Sequence, residues 1–141
     1  MKHILKLLLL TVISAVILCG CESLPDADFE SPDAVIDATL ANNPIQEGEI
    51  NGMYDDLAGK TLLVKTNSKK ENDIAVLYTG TYGTNSVSVF IGGLYDDSGK
   101  PLTNFDYNKG DYVVVKIDFV SFRGTKDGKL REYFIFTGLN N

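Results

Sequence analysis

A chain of 141 residues with 13 basic and 19 acidic side chains, net −6 with histidine neutral, can bury one modest core. Its acidity argues against a partner held through phosphates. The only histidine, His3, and both cysteines, Cys19 and Cys21, lie within the first 21 residues. The rest of the chain therefore has no Ser-His-Asp or Cys-His machinery and no histidine or cysteine for a zinc site, which points away from an enzyme.

Taken in chain order, the first element is a leader. Lys2 and Lys6 give a positive start, and residues 4–18 run almost without a polar side chain. That stretch has the length of a signal-peptide core and is too short for a comfortable membrane span. It ends in Leu18-Cys19-Gly20-Cys21. This resembles the lipobox of bacterial lipoproteins, in which an apolar branched residue and a small residue precede the cysteine that is lipidated and freed by cleavage. Cys19 fits less well as acceptor, because bulky Leu18 stands where a small residue is needed.

The resemblance implies that residues 1–20 are a signal peptide and that Cys21 carries a diacylglycerol and an N-acyl chain. With Cys19 removed and Cys21 blocked as a thioether, the mature chain keeps no free thiol and no disulfide. Each buried methylene contributes about 0.8 kcal/mol, so two or more chains hold a protein on a bilayer. The expected location is extracytoplasmic, anchored to the cell membrane rather than spanning it. In a Gram-negative host the outer membrane is expected, since Glu22 is not the aspartate associated with inner-membrane retention.

Residues 21–30 are short, acidic and proline-containing, and read as a tether. Ser31-Pro32-Asp33 is a helix start: a capping hydroxyl, a proline suited to the first turn, and an acid at the positive helix end. Ala34, Val35, Ala38 and Leu40 give an apolar stripe, and Asn42-Asn43-Pro44 stops the helix. Residues 31–141 are expected to form a single domain. Charge is uneven. Residues 22–56 hold ten acids and no Lys or Arg, whereas residues 57–141 hold 11 basic and 9 acidic side chains.

Five strands are expected in that domain. Residues 61–66 follow a Gly59-Lys60 turn, and residues 74–78 precede a glycine-rich break at Gly80–Gly83. Val87, Val89 and Ile91 alternate with Ser86, Ser88 and Phe90, and Gly92-Gly93 follows. After a long turn-rich connection over residues 96–110 comes the longest strand, residues 112–122. Its alternation puts Val113, Val115, Ile117 and Phe119 on one face and Tyr112, Val114, Lys116, Asp118 and Val120 on the other. A loop at residues 123–128 leads into a last strand, residues 130–137.

Five such strands suggest a small barrel or sandwich. The segments Ala58-Gly59-Lys60-Thr61-Leu62-Leu63-Val64 and Asn108-Lys109-Gly110-Asp111-Tyr112-Val113-Val114-Val115, with a helix ahead of both, resemble the OB-fold lipoproteins called tRNA-anticodon-binding-like. The resemblance implies an all-β fold: a five-stranded OB-like barrel with a short N-terminal helix over residues 31–138. It brings no catalytic residues. The early break at residues 67–72 departs from the family pattern and keeps an immunoglobulin-like β-sandwich as the alternative.

Candidate binding residues are the aromatic and basic side chains Tyr78, Phe90, Tyr112, Lys116 and Phe122. OB-folds use such groups on ligands. Asp96 and Asp97, in the echo of Tyr54-Asp55-Asp56 at Tyr95-Asp96-Asp97, are candidate oxygen ligands for calcium. The full calcium-loop spacing is missing, and simple turn chemistry is the favoured account of them. No cofactor beyond the lipid on Cys21 is expected. The functional expectation is a membrane-anchored, non-catalytic module that binds an envelope protein, as an adaptor or in exclusion or immunity, and does not bind nucleic acid. The alternative is a lipoprotein that binds a small ligand: a glycan, a metabolite or a cation.

Overall fold

The computed structural model describes residues 23–68, 75–92 and 107–140. The leader, Cys21 and the Asp96–Asp97 pair lie outside them. Helix α1 spans Pro32–Asn42, and the Ser31 hydroxyl accepts from the Ala34 N–H at 3.2 Å as its N-cap. Its inward stripe is Pro32, Val35, Ile36 and Thr39. Ala34, Ala38 and Leu40 are only half-buried, so the stripe is turned by one position from the expected one. Thr39 joins it because its hydroxyl donates to the Val35 carbonyl at 2.8 Å, leaving no polar group orphaned.

The fold is mostly β, as expected, with six strands among the described residues rather than five: β1 (Asn51–Tyr54), β2 (Thr61–Lys65), β3 (Ala75–Tyr82), β4 (Asn85–Ile91), β5 (Tyr112–Gly124) and β6 (Arg131–Leu139). All six belong to one sheet. Strand β5 is its spine. Along one side it pairs antiparallel with β2 (Thr61 opposite Lys116, Lys65 opposite Tyr112) and, further on, with β1 (Asn51 opposite Arg123). Its other side takes β6, which runs parallel to β4, and β4 folds back on β3.

The sheet curls until its ends touch, where the Asn67 N–H, just past β2, donates to the Leu77 carbonyl of β3 at 3.1 Å. Leu62, Val64, Leu77, Val89, Ile117 and Ile135 fill the inside. Helix α1 packs there too, with Ile36, Thr39 and Leu40 against Tyr54, Val120, Phe122 and Tyr133.

Three expectations are corrected. Strand β1 was not anticipated: it is four residues long and exposes alternate side chains. Strand β3 does not stop before the glycines but runs through Gly80 to Tyr82, and Gly83-Thr84 makes the turn, with Gly83 at φ 60°. Strand β5 does not alternate without interruption. A register shift between Ile117 and Phe119 makes Asp118 an extra residue, so Val115, Ile117, Val120 and Phe122 are buried while Phe119 faces outward. A bulge of this kind inverts the facing of every residue beyond it.

Beyond the bulge lies an outer aromatic row across β5, β6 and β4. Phe119 stacks on Phe136 at 4.5 Å, Phe136 on Phe90 at 5.3 Å, and Phe90 meets Phe134 at 6.0 Å. Among the described residues no helix is long and apolar enough to cross a membrane.

Where β2 and β3 meet, the Asn67 side chain acts as a substitute strand residue. Its amide donates to the Thr79 carbonyl at 2.6 Å, and its Oδ1 accepts from the Thr79 N–H at 2.9 Å. Asn67→Ala is expected to cost about 1–3 kcal/mol in urea unfolding, because both Thr79 groups lose their partner. An unchanged midpoint would show that this clasp adds nothing.

Candidate binding cleft

The cleft begins with the segment that leads into α1. Residues 23–26 are exposed, but Asp28 and Phe29 dock on β2 as a parallel bridge between Phe29 and Leu62. The Phe29 N–H donates to the Thr61 carbonyl at 3.0 Å, and the Leu63 N–H donates to the Phe29 carbonyl at 2.9 Å. Asp28 locks this register. Its carboxylate accepts from the Thr61 N–H at 2.9 Å and the Thr61 hydroxyl at 3.1 Å, while its own N–H donates to the Thr61 hydroxyl oxygen at 2.9 Å. Among the described residues, docking on the sheet thus begins at Asp28, three residues before the helix cap.

The hydrogen bond from the Thr61 N–H, then that from its hydroxyl, holds the Asp28 carboxyl below its ordinary 3.8. A carboxylate with a depressed folded-state value stabilises at pH above 3.8, and that help is lost as pH falls through the lower folded value. Asp28→Asn is therefore expected to flatten the fall in thermal stability between about pH 4 and pH 2 relative to the native chain. Parallel pH curves for the two would remove Asp28 from the account.

Held in this way, the arm forms one wall of a cleft of about 470 Å³, with Leu24, Asp26 and Glu30 along it. The opposite wall is Leu63 and Lys65 of β2, Tyr78 of β3 and Tyr112 of β5. Tyr112 is 42% exposed, and the Lys65 ammonium sits 5.5 Å from its ring centre. The Tyr78 ring lies across Gly80. A Cβ there would come within 2.5 Å of Tyr78 Cζ, so only glycine lets the ring take this place.

A second concavity of about 760 Å³ continues past Tyr112, shares Leu24 and Pro25, and is bounded by Gly110 and Asp111. That turn is pinned to the end of β2, with the Gly110 N–H donating to the Thr66 carbonyl at 2.7 Å and Thr66 Oγ1 to the Asn108 carbonyl at 2.8 Å.

Of the residues expected to bind, Tyr78 and Tyr112 come together here. Lys116 stands opposite Thr61 and does not line the cleft. Phe90 belongs to the outer aromatic row. Phe122 is 3% exposed in the core, stacked against Tyr54 at 6.1 Å, and presents no face to a ligand. Asp96 and Asp97 lie outside the described residues, among which no cluster of three or more acids, histidines and cysteines is placed to hold a metal.

The other acid pair has a structural use, since Asp56 accepts from Asn42 at 2.8 Å and from Asn43 at 3.0 Å and so ties down the end of α1. Sequence reasoning missed the arm itself, Asp26, Leu63 and Glu30. The one available signal was Phe29, a lone large apolar residue among acids. No family model, curated protein or solved structure matches the chain.

Proposed function

We propose that the protein is a lipid-anchored, non-catalytic binding module of the cell envelope, and that it engages an envelope protein through the cleft beneath its N-terminal arm. One observation carries this reading: the cleft wall is the same segment that leads back to Cys21. Asp28, the first docked residue, is seven positions from that cysteine, a span of at most about 25 Å. The lipid would therefore hold the cleft close to the bilayer surface, among membrane-associated partners, and raise their effective concentration. The exposed Tyr112 ring, with its apolar body and polar tip, is the kind of side chain that anchors an interface. The parallel pairing of β4 with β6 and the closure through Asn67 fit an OB-like barrel, whose curved face serves binding.

A second reading, a small ligand such as a glycan, is favoured by the lining itself, because two tyrosines and the acids Asp26 and Glu30 converge on a space of small-molecule size. Cross-linking of the full-length lipoprotein in cells, followed by mass spectrometry, separates the two. The control is the same anchor on an unrelated domain. One envelope protein enriched over that control, and reduced roughly tenfold by Tyr112→Ala, is the expected result. No enrichment, with thermal stabilisation of the full-length protein by a glycan or cation, would favour the second reading.

A further inference from the structure

The outer edge of β2 is paired at both ends and open in the middle. In an antiparallel ladder, alternate residues turn their N–H and C=O groups to one side. On β2 the even-numbered residues face β5: Ile117 donates to Lys60, and Thr66 donates to Asp111. The odd-numbered residues therefore face outward. Thr61 and the Leu63 N–H bond to Phe29 before the opening, and Asn67 bonds to Leu77 after it. Between these points lie the Leu63 carbonyl and both backbone groups of Lys65.

Residue Thr79 of β3, the natural partner for Lys65, is already taken by the Asn67 side chain. Phe29 leaves the edge as the chain turns up into α1. Among the described residues nothing pairs with those three backbone groups, and they face the cleft that Leu63 and Lys65 line.

Resting on the cleft reading above, we infer that this opening accepts an extended peptide segment that adds to the edge of β2 and carries a basic side chain. The backbone supplies the register, as in β-strand addition generally. Side-chain chemistry supplies the sign of charge. Asp26 and Glu30 stand on the arm with no ion pair or hydrogen bond among the described residues, in a 35-residue stretch that has no Lys or Arg of its own. A Lys or Arg of the incoming segment reaches these carboxylates. An apolar residue at the next position falls on the tyrosine side, because strand neighbours point to opposite faces. An acidic segment meets the two carboxylates instead, and the one cation of the opposite wall, Lys65, is drawn over the Tyr112 ring.

The test uses the full-length lipoprotein in detergent micelles and three fluorescein-labelled peptides: Val-Lys-Val-Lys-Val, its Glu counterpart, and the Lys peptide with N-methylated backbone amides. Binding is read by anisotropy, and hydrogen exchange of the Lys65 amide is followed alongside. The expected result is that the Lys peptide binds about tenfold more tightly than the Glu peptide. Lys65 exchange slows on its binding, and the N-methylated version does not bind.

Asp26→Asn with Glu30→Gln, at two exposed positions, is expected to reduce the charge preference about fivefold with an unchanged melting temperature. Equal binding of both charges, unchanged Lys65 exchange, or no binding of the Lys peptide at millimolar concentration would each overturn the inference. If cells still yield a Tyr112-dependent partner in those cases, the cleft reading stands and strand addition alone falls. If neither is found, both fall.

Discussion

Phe122→Ala is expected to destabilise the domain by about 3–5 kcal/mol, the cost of emptying an aromatic position in a packed core. Its ring is 3% exposed, stacks on Tyr54 at 6.1 Å, lies 6.4 Å from Tyr133 and receives the Arg131 guanidinium at 5.9 Å. It also covers Gly52 on the neighbouring strand, where a Cβ would meet Phe122 Cε1 at 2.5 Å. Phe119→Ala, in the half-buried outer row, is expected to cost clearly less, about 1–2 kcal/mol. Urea unfolding of the two variants reads the difference directly. The reverse order would mean that β5 alternates without a bulge and that Phe122 faces outward.

Cys21→Ser is expected to abolish the lipid-labelled mature form, since no other residue in Leu18-Cys19-Gly20-Cys21 offers an acceptor after a small side chain. On the proposed lipoprotein reading, two or more acyl chains at about 0.8 kcal/mol per buried methylene would supply the anchoring that the serine variant loses. Metabolic labelling with palmitate and fractionation of the cells check this. Labelled, membrane-bound mature protein from the serine variant would end the lipoprotein reading.

The fold was legible wherever the side-chain period was undisturbed. Val87, Val89 and Ile91 are buried as their alternation demands, and Ser31-Pro32 begins α1 where the capping chemistry places it. What failed traces to tertiary causes. A period of two cannot announce an inserted residue, so the bulge at Asp118 exchanged Phe119 and Phe122 between faces. The candidate binding residues were chosen by residue type: Phe122, beyond the bulge, faces the core, and Lys116, before it, stands opposite Thr61 and away from the cleft that Tyr112 lines.

Strand β1 escaped because Gly52 weakens any local strand signal. Its stability comes from pairing with β5 and from the Phe122 ring laid over it. The arm escaped because one parallel bridge, fixed by Asp28 and Thr61 across 33 positions, has no local pattern. Tyr78 and Tyr112, on one wall of the cleft, were both named from residue type. The other wall depended on that long-range contact.

The most direct test of the cleft as the working surface is site-specific photo-cross-linking in cells. The protein would carry the photoreactive residue at position 112 in one sample and at position 53, on β1 and 69% exposed, in the other. A discrete adduct with an envelope protein from position 112, and none from position 53, is the predicted result. An adduct from position 53 with none from position 112 would contradict the account and move the partner to the edge of β1.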